Sequence, residues 1–381
     1  MVAMDSFRTD LRERLRKPEI LLRIAPSPAS GELVELSGTD LVDSAERLAK
    51  DLVKFPPPGV ALLLLPHSVE LFLLQIGLVL QGYCPAILPW PTSRIDPEKY
   101  QRNLLHQLRD LPADQLITEP QLAANVGPKL AFPCAGCDIR CAGTFERAFA
   151  RAFALDTAAD GMTIAPNASP LGPDSLFLQF SGGTTGVQKS VVVTDRMLVE
   201  QLERLRDSLD FSEADGVVSW LPLYHDMGLI ACLWFPLWSG NPSLHFAASD
   251  WLMNPELLFK YIADFRATFC WLPNFAFSYL AQRREAMTGD CSLAHISSVN
   301  REAGNDLGKR ISQAFQSEVA GVTVGQGDAA QVICQYVQFA VQQLLHDQLL
   351  AFVNQVFEIG VAANESAIYS VQFSFAARVN K

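Results

Sequence analysis

The sequence lacks an excess of basic residues. Its 30 Lys and Arg residues are outnumbered by 41 Asp and Glu residues, which gives a formal net charge of −11. A protein that binds nucleic acid independently of the base sequence needs a basic face to replace the phosphate counterions. The charge balance therefore disfavours nucleic acid as a partner. It leaves a nucleotide site open, because backbone N–H groups and one or two cations can hold a phosphate.

Long apolar runs are also missing. The longest apolar stretch, residues 69–89, is interrupted by Glu70, Gln75 and Gln81 and falls short of a membrane span. Residues 1–19 mix acidic and basic side chains and contain no apolar run of the kind that a signal peptide needs. We therefore expect a cytoplasmic protein without a membrane span.

Cysteine is sparse for a chain of 381 residues, with eight in total. Three of them, Cys134, Cys137 and Cys141, have the spacing C-x-x-C-x-x-x-C. Such a cluster could hold a metal or form a redox pair if a fourth ligand came from elsewhere. No histidine is close in the sequence, so reduced thiols in a loop are the favoured interpretation and we predict no metal here.

Proline is absent from residues 275–381, although the chain has 23 prolines. Glutamine is frequent in the same part, and apolar residues from Ile333 to Val356 keep near-helical spacing. Asp328 and Gln331 resemble a capping box. We expect a divergent, mainly helical tail over residues 301–381, with a long amphipathic helix over residues 329–359.

The first half of the chain alternates between predicted strands and helices. Residues 59–65 are typical of a buried strand, residues 68–82 of a helix and residues 84–88 of the next strand. This order predicts an α/β fold with a parallel sheet and right-handed crossovers. A stretch rich in glycine and proline ends near residue 174. We therefore predict one α/β subdomain over residues 1–174 and a second over 175–300.

A glycine-rich segment lies between two predicted strands, residues 176–180 and 190–194. It suits a polyphosphate, because glycine permits the backbone to turn N–H groups toward an anion, while hydroxyls and a lysine add donors. It is not the common P-loop, since its lysine stands three residues after the last glycine and a strand follows. A glycine-rich hairpin without a ligand is an equally good interpretation of this segment alone. Its residues are Ser181, Gly182, Gly183, Thr184, Thr185, Gly186, Val187, Gln188 and Lys189.

Two further segments accompany it. Residues 218–229 read VSWLPLYHDMGL and residues 266–279 read RATFCWLPNFAFSY. With the glycine-rich segment, they resemble the adenylate-forming superfamily, and most of all its branch of fatty acyl-AMP ligases and acyl-CoA synthetases. The resemblance extends from about Gly31 to about Asn300.

The resemblance implies the layered parallel and mixed sheets of the large N-terminal domain of these enzymes. It implies that a medium- or long-chain fatty acid reacts with ATP to give acyl-AMP and pyrophosphate. The acyl group then passes to CoA or to the thiol of an acyl carrier protein. ATP and Mg²⁺ are the cofactors that it implies.

Site residues follow from the same resemblance. Residues 181–186 and Lys189 would close over the β- and γ-phosphates of ATP, and His225 would stand beside the acyl carboxylate. His225 and Lys189 are thus the predicted catalytic residues. The predicted substrate-binding residues are Tyr224, His225, Asp226, Trp271, Pro273, Asn274 and Phe275. The apolar residues 230–238 are compatible with an acyl tunnel or with plain core.

The sequence also departs from the family. Gln188 and Ser190 stand where proline and glycine commonly flank the lysine. After about residue 300 we find no Tyr-Gly-x-Thr-Glu string for adenine and Mg²⁺, no Thr-Gly-Asp for the ribose, and no lid carrying a catalytic lysine. We therefore expect slow or no turnover by this chain. The alternative hypothesis is a truncated remnant that binds nucleotide or acyl chain without catalysis.

Overall fold

The computed structural model describes residues 6–25, 33–91, 113–126, 133–137, 171–180 and 190–273, together with the single residues 100, 104, 108, 128, 276, 279 and 280. The chain divides into two compact units. The first unit combines Met1–Leu198 with Ser212–Leu258, and the second combines Val199–Phe211 with Phe259–Lys381.

Strands and helices alternate through the described part of the chain. The strands are β1 (Ile20–Ala25), β2 (Val34–Ser37), β3 (Val60–Leu64), β4 (Cys84–Ile87), β5 (Gln115–Thr118), β6 (Cys134–Gly136), β7 (Ser175–Phe180), β8 (Ser190–Thr194), β9 (Val217–Ser219) and β10 (Ser243–Phe246). The α-helices are α1 (Ser6–Leu15), α2 (Gly38–Leu52), α3 (Val69–Leu80), α4 (Pro120–Val126), α5 (Asp195–Leu209), α6 (Phe235–Ser239), α7 (Ala248–Met253) and α8 (Glu256–Phe265). A π-helix, Met227–Trp234, precedes α6.

Two sheets form the framework of the first unit. One has four strands in the order β2-β1-β10-β9, and the other has six in the order β6-β5-β3-β4-β7-β8. Neighbouring strands are parallel except for the antiparallel pairs β1–β2 and β7–β8. The predicted α/β fold with parallel and mixed sheets is therefore confirmed.

Local signals account for the centre of the six-stranded sheet. All five residues of β3 are apolar and buried, as expected for a strand covered on both faces. The hydroxyl of Ser68 accepts a hydrogen bond from the N–H of Leu71 at 3.3 Å and so caps α3. Gly82 follows α3 with a φ of +88°, a conformation that suits glycine at the end of a helix. The predicted order of strand, helix and strand is present over residues 60–87.

Three further predictions concern the subdomain boundary, the C-terminal tail and the absence of a membrane span. The subdomain boundary at 174/175 stays a prediction, although β1 pairs with β10 and β4 with β7, so strands from either side of it share both sheets. The helical tail over residues 301–381 lies outside the described residues. Among the described residues, no helix is both long and apolar enough to cross a membrane.

Arginine side chains of α1 attach this first helix to the rest of the unit. The guanidinium of Arg8 donates to the carbonyl of Val79 at 2.9 Å and to that of Ser175 at 2.7 Å. Arg12 donates to the carbonyl of Leu80 at 2.9 Å. Val79 and Leu80 lie in the last turn of α3, whose carbonyls have no partner within the helix. Both cations therefore satisfy and electrostatically complement that helix end.

Candidate functional site

The predicted His225 motif forms a loop between β9 and the π-helix. Leu221 and Leu223 are buried and anchor it, while His225 between them and the helix is exposed. The N–H of Leu221 donates to the Ser219 hydroxyl at 3.1 Å, and the N–H of His225 donates to the carbonyl of Pro222 at 3.1 Å. Two local hydrogen bonds, one to a side-chain hydroxyl and one to a backbone carbonyl, therefore fix the loop.

A close contact sets the start of the π-helix beneath this loop. A Cβ atom added at Gly228 would lie 2.3 Å from the carbonyl oxygen of Pro222, so a side chain at this position would force the loop away. The carboxylate of Asp226 accepts a hydrogen bond from the N–H of Met227 at 2.8 Å and caps the helix. π-Helices are rare and are frequent at functional sites. Here one begins directly after the predicted catalytic histidine.

His225 and Asp226 form the charged pair of the site. Nδ1 of His225 lies 2.5 Å from Oδ1 of Asp226, and the two side chains are 58% and 51% exposed. The hydrogen bond that His225 donates to Asp226, aided by the charge of that carboxylate, raises the pKa of His225, while burial acts in the opposite direction. Burial alone would raise the pKa of Asp226, but the hydrogen bond and charge of His225 outweigh it, so this pKa lies below its usual value. The pair therefore favours a protonated imidazole that solvent and a ligand can reach.

Tyr224, the residue before His225, is half-buried, and burial raises the pKa of its phenol. Tyr100 lies close enough that the phenol of Tyr224 contributes, after burial, to a raised pKa of Tyr100. The Tyr100 hydroxyl is hydrogen-bonded to the carbonyl of Pro89. Sequence reasoning missed Tyr100, because no motif surrounds it and its contact with the loop spans more than a hundred residues.

Gln179 is a second residue that sequence reasoning missed. Its side-chain amide donates a hydrogen bond to the carbonyl of Tyr224 at 2.8 Å. Gln179 lies in β7, two positions before Ser181, at the point where the strand approaches the glycine-rich segment. A glutamine in a strand that is apolar except for its first residue, Ser175, was the only available signal.

The other predicted site residues divide into two groups. The predicted phosphate-binding residues Ser181, Gly182, Gly183, Thr184, Thr185, Gly186 and Lys189 lie outside the described residues, as do Asn274 and Phe275 of the predicted acyl channel. The strands that flank the glycine-rich segment are antiparallel, with Phe180 paired to Ser190. In the second unit, Trp271 is buried and Pro273 is half-buried. Their roles stay predictions.

The cofactor Mg²⁺ and the cysteine cluster both raise the question of metal-binding side chains. Within the described ranges there is no group of three or more His, Cys, Asp or Glu side chains that could hold a metal ion. Neither Cys134 nor Cys137 forms a disulfide, Cys134 has its pKa raised to about 12 by burial, and Cys141 lies outside the described residues.

The fold of this chain is similar to that of solved adenylating enzymes. The fatty acyl-adenylate ligase from L. pneumophila, solved in complex with acyl adenylate and pyrophosphate, superposes with a TM-score of 0.60. The two are 20% identical in sequence, and the likeness covers 82% of this chain and 53% of that one. At this identity the comparison shows the fold, which is that of an adenylate-forming ligase.

Sequence comparison defines the family. Residues 19–347 match the family of AMP-binding enzymes, and the chain therefore belongs to it. The match begins before Gly31 and continues past Asn300, so it is longer at both ends than the motifs predicted. The recognition of an adenylate-forming enzyme is confirmed.

Curated relatives carry names from the predicted branch. The chain is 34% identical over 120 residues to a medium-chain-fatty-acid–[acyl-carrier-protein] ligase, TtuA, of Teredinibacter turnerae, covering 32% of this chain and 18% of the relative. It is 34% identical over 143 residues to the long-chain-fatty-acid–AMP ligase FadD28 of Mycobacterium tuberculosis, covering 35% of this chain and 23% of the relative. The chain thus spans about half the length of the solved relative and under a quarter of each of these two.

Proposed function

We propose that this chain provides the carboxylate-activating site of a ligase that joins a medium- or long-chain fatty acid to AMP. In the reaction a carboxylate oxygen attacks the α-phosphorus of ATP and forms a new O–P bond. The bond to the bridging oxygen breaks, and pyrophosphate leaves with the electron pair. The observation that carries the proposal is the exposed His225–Asp226 pair, held on a loop whose sequence is typical of this family.

The chemistry has an electrostatic obstacle that this pair addresses. An anionic carboxylate must approach an anionic triphosphate, so a nearby positive charge lowers the barrier by offsetting their repulsion. Asp226 favours the protonated form of His225. A protonated imidazole beside the carboxylate can orient it and compensate its charge. Nδ1 is engaged by Asp226, which leaves Nε2 for the acid.

ATP contact is proposed for residues 181–186 and Lys189. Supporting this, β7 and β8 bring the two ends of that segment together at the Phe180–Ser190 pair, with Gln179 bonded to the His225 loop just before it. The phosphates would then be held close to the carboxylate site. Mg²⁺, when bound, would offset the charge of the departing pyrophosphate.

The acceptor and the location are proposed in coarser terms. A thiol, on CoA or on an acyl carrier protein, would take the acyl group from acyl-AMP and release AMP. The names of the relatives, which include an acyl-carrier-protein ligase, support a fatty acid as substrate. We propose the cytoplasm as the location.

Acid-dependent ATP–pyrophosphate exchange tests the proposal. The purified 381-residue chain would be incubated with ATP, labelled pyrophosphate and saturated fatty acids of increasing length. Exchange should require the acid and should fall by about 100-fold in Lys189→Ala and in His225→Asn. Lys260→Ala is the matched control, because Lys260 is an exposed lysine on α8 paired with Asp264 at 2.9 Å.

The outcomes separate the two hypotheses of function. Exchange that depends on acid and is lost in the two site variants would establish the ligase site. A folded chain that binds ATP but supports no exchange would contradict the enzyme proposal and favour the binding remnant.

A further inference from the structure

Gln179 is held firmly by its backbone. It is the fifth residue of β7 and is paired with Val191 of the antiparallel strand β8. On the other side, β7 is parallel to β4, with Leu178 opposite Ala86. A side chain mounted between two paired strands has little freedom to follow a moving loop. The side chain of Gln179 can therefore hold its hydrogen-bond partner at a fixed position relative to the sheet.

The atom that Gln179 touches lies at the centre of the candidate site. Its Nε2 donates to the carbonyl oxygen of Tyr224 at 2.8 Å, a normal hydrogen-bond length, and makes a weaker contact of 3.4 Å with the carbonyl of Phe180. The Tyr224 carbonyl belongs to the peptide that joins Tyr224 to His225. The N–H of that same peptide donates to Pro222. Both polar ends of this planar peptide are thus fixed, and so is the direction in which His225 leaves the backbone.

The remaining polar atom of Gln179 argues against a purely structural role. Its Oε1 is buried and has no hydrogen-bond partner among the described residues. A buried amide oxygen without a partner lowers stability, and an apolar residue would fit the pattern of β7 better. A glutamine is thus an unfavourable choice for the fold alone, as is common for residues that serve a site.

We propose that Gln179 is a positioning residue, which holds the Tyr224–His225 peptide in register with the strand that enters the 181–189 segment. It would thereby keep the carboxylate site and the phosphate site at a constant separation. The inference rests on the proposed function, since it assigns these two sites to the two reactants. A misplacement of about 1 Å between reactants can reduce a rate by about 100-fold.

Gln115 provides a matched control in the same sheet. It is a fully buried glutamine of β5 whose Nε2 also donates to a backbone carbonyl, that of Leu52, at 2.8 Å. Its Oε1 accepts from the N–H of Lys54 at 3.0 Å, so it fastens the end of α2. The two glutamines make the same kind of bond, and only Gln179 bonds to the loop of His225.

The test measures the protonation of His225 directly. The six histidines would be labelled at Cε1 and titrated by NMR in the full chain, with the His225 signal assigned by its loss in His225→Asn. In Gln179→Leu the loop is released, the contact with Asp226 loosens, and the pKa of His225 should fall toward its ordinary value. Gln115→Leu should leave the His225 titration unchanged.

Exchange kinetics supply the second readout. Gln179→Leu should lower kcat by about 10- to 100-fold with KM for ATP within about twofold, whereas Gln115→Leu should keep both constants. A Gln179→Leu chain whose His225 titrates as in the wild type would overturn the inference. If the wild-type chain shows no exchange, the proposed function fails, but the titration still decides whether Gln179 positions His225.

Discussion

The indole rings of Trp220 and Trp251 lie face to face, with centroids 4.1 Å apart and planes 3° from parallel. Trp220 is the first residue of the loop that carries His225, and Trp251 comes from α7. Both are buried. The stack therefore attaches the start of the His225 loop to a helix that follows β10.

Trp251→Ala should lower the free energy of unfolding by about 3–5 kcal/mol, because it deletes a fully buried indole and leaves a cavity against Trp220. Trp251→Phe keeps an aromatic ring and should lose less than half as much. Urea unfolding followed by circular dichroism checks both variants. Equal stability of Trp251→Ala and the wild type would show that the stack contributes nothing.

Gly228→Ala should abolish most exchange, since the added methyl would meet the Pro222 carbonyl at 2.3 Å and displace the loop. We expect a loss of about 100-fold in exchange rate and about 2–3 kcal/mol in stability. Gly216→Ala is the control, because its added Cβ meets its nearest neighbour, the Pro242 carbonyl oxygen, at an ordinary 3.5 Å. Exchange by Gly228→Ala at the rate of Gly216→Ala would contradict this account of the loop.

Asp250→Asn should stabilise the protein at neutral pH. Burial raises the pKa of Asp250 to about 6 from a usual 3.8, with a hydrogen bond from Ser249 opposing the shift. Between pH 3.8 and 6 the folded state keeps a proton that the unfolded state has lost, so stability falls as pH rises. The variant should gain up to about 3 kcal/mol at pH 7 and nothing below pH 3.8.

Urea unfolding of Asp250→Asn at pH 3.5 and pH 7 separates charge from packing. The exposed Asp207→Asn serves as control and should change stability by no more than about 0.5 kcal/mol at either pH. A gain of the same size at both pH values would mean that the ionisation of Asp250 is not its cause.

His245→Leu should make the protein less sensitive to acid. Burial lowers the pKa of His245 to about 3, helped by the nearby His67, and burial lowers that of His67 to about 4. Unfolded histidine takes up a proton near pH 6.5, so between pH 6.5 and 4 the unfolded state binds more protons. Stability therefore falls as pH falls, by up to about 1.4 kcal/mol per pH unit for each histidine.

The slope of unfolding free energy against pH, measured between pH 4.5 and 6.5, should be shallower in His245→Leu by about that amount. His225→Asn should keep the wild-type slope in this window. The pKa of His225 is raised, so its folded and unfolded forms are both protonated below pH 6.5. An unchanged slope in His245→Leu would be evidence that this imidazole titrates normally in the fold.

The sequence was most informative where structure is set by neighbours along the chain. The apolar run of β3, the cap at Ser68 and the glycine after α3 are local signals, and each appears in the structure as predicted. The His225 motif also places a defined loop, because its spacing of proline, glycine and buried leucines fixes the turn. Local patterns thus carry both the fold class and one half of the candidate site.

Contacts between distant segments could not be predicted from local patterns. The bond from Gln179 to Tyr224 crosses 45 positions, and neither residue's neighbours specify it. The π-helix was equally hidden, because the apolar string from Leu229 to Trp234 would suit an ordinary helix. The close approach of Gly228 to Pro222 at its start is likewise a feature of the three-dimensional structure.

The parallel pairing of β1 with β10 has a consequence for folding during synthesis. The hairpin β1–β2 leaves the ribosome early, but the strand that completes its other edge, Ser243–Phe246, is made more than two hundred residues later. At about 5–20 residues per second, that edge stays unpaired for roughly 10–45 s. The bonds from Arg8 to the carbonyls of Pro173 and Ser175 must wait as well. Until these late partners arrive, the nascent segment keeps an exposed strand edge that another chain could pair with.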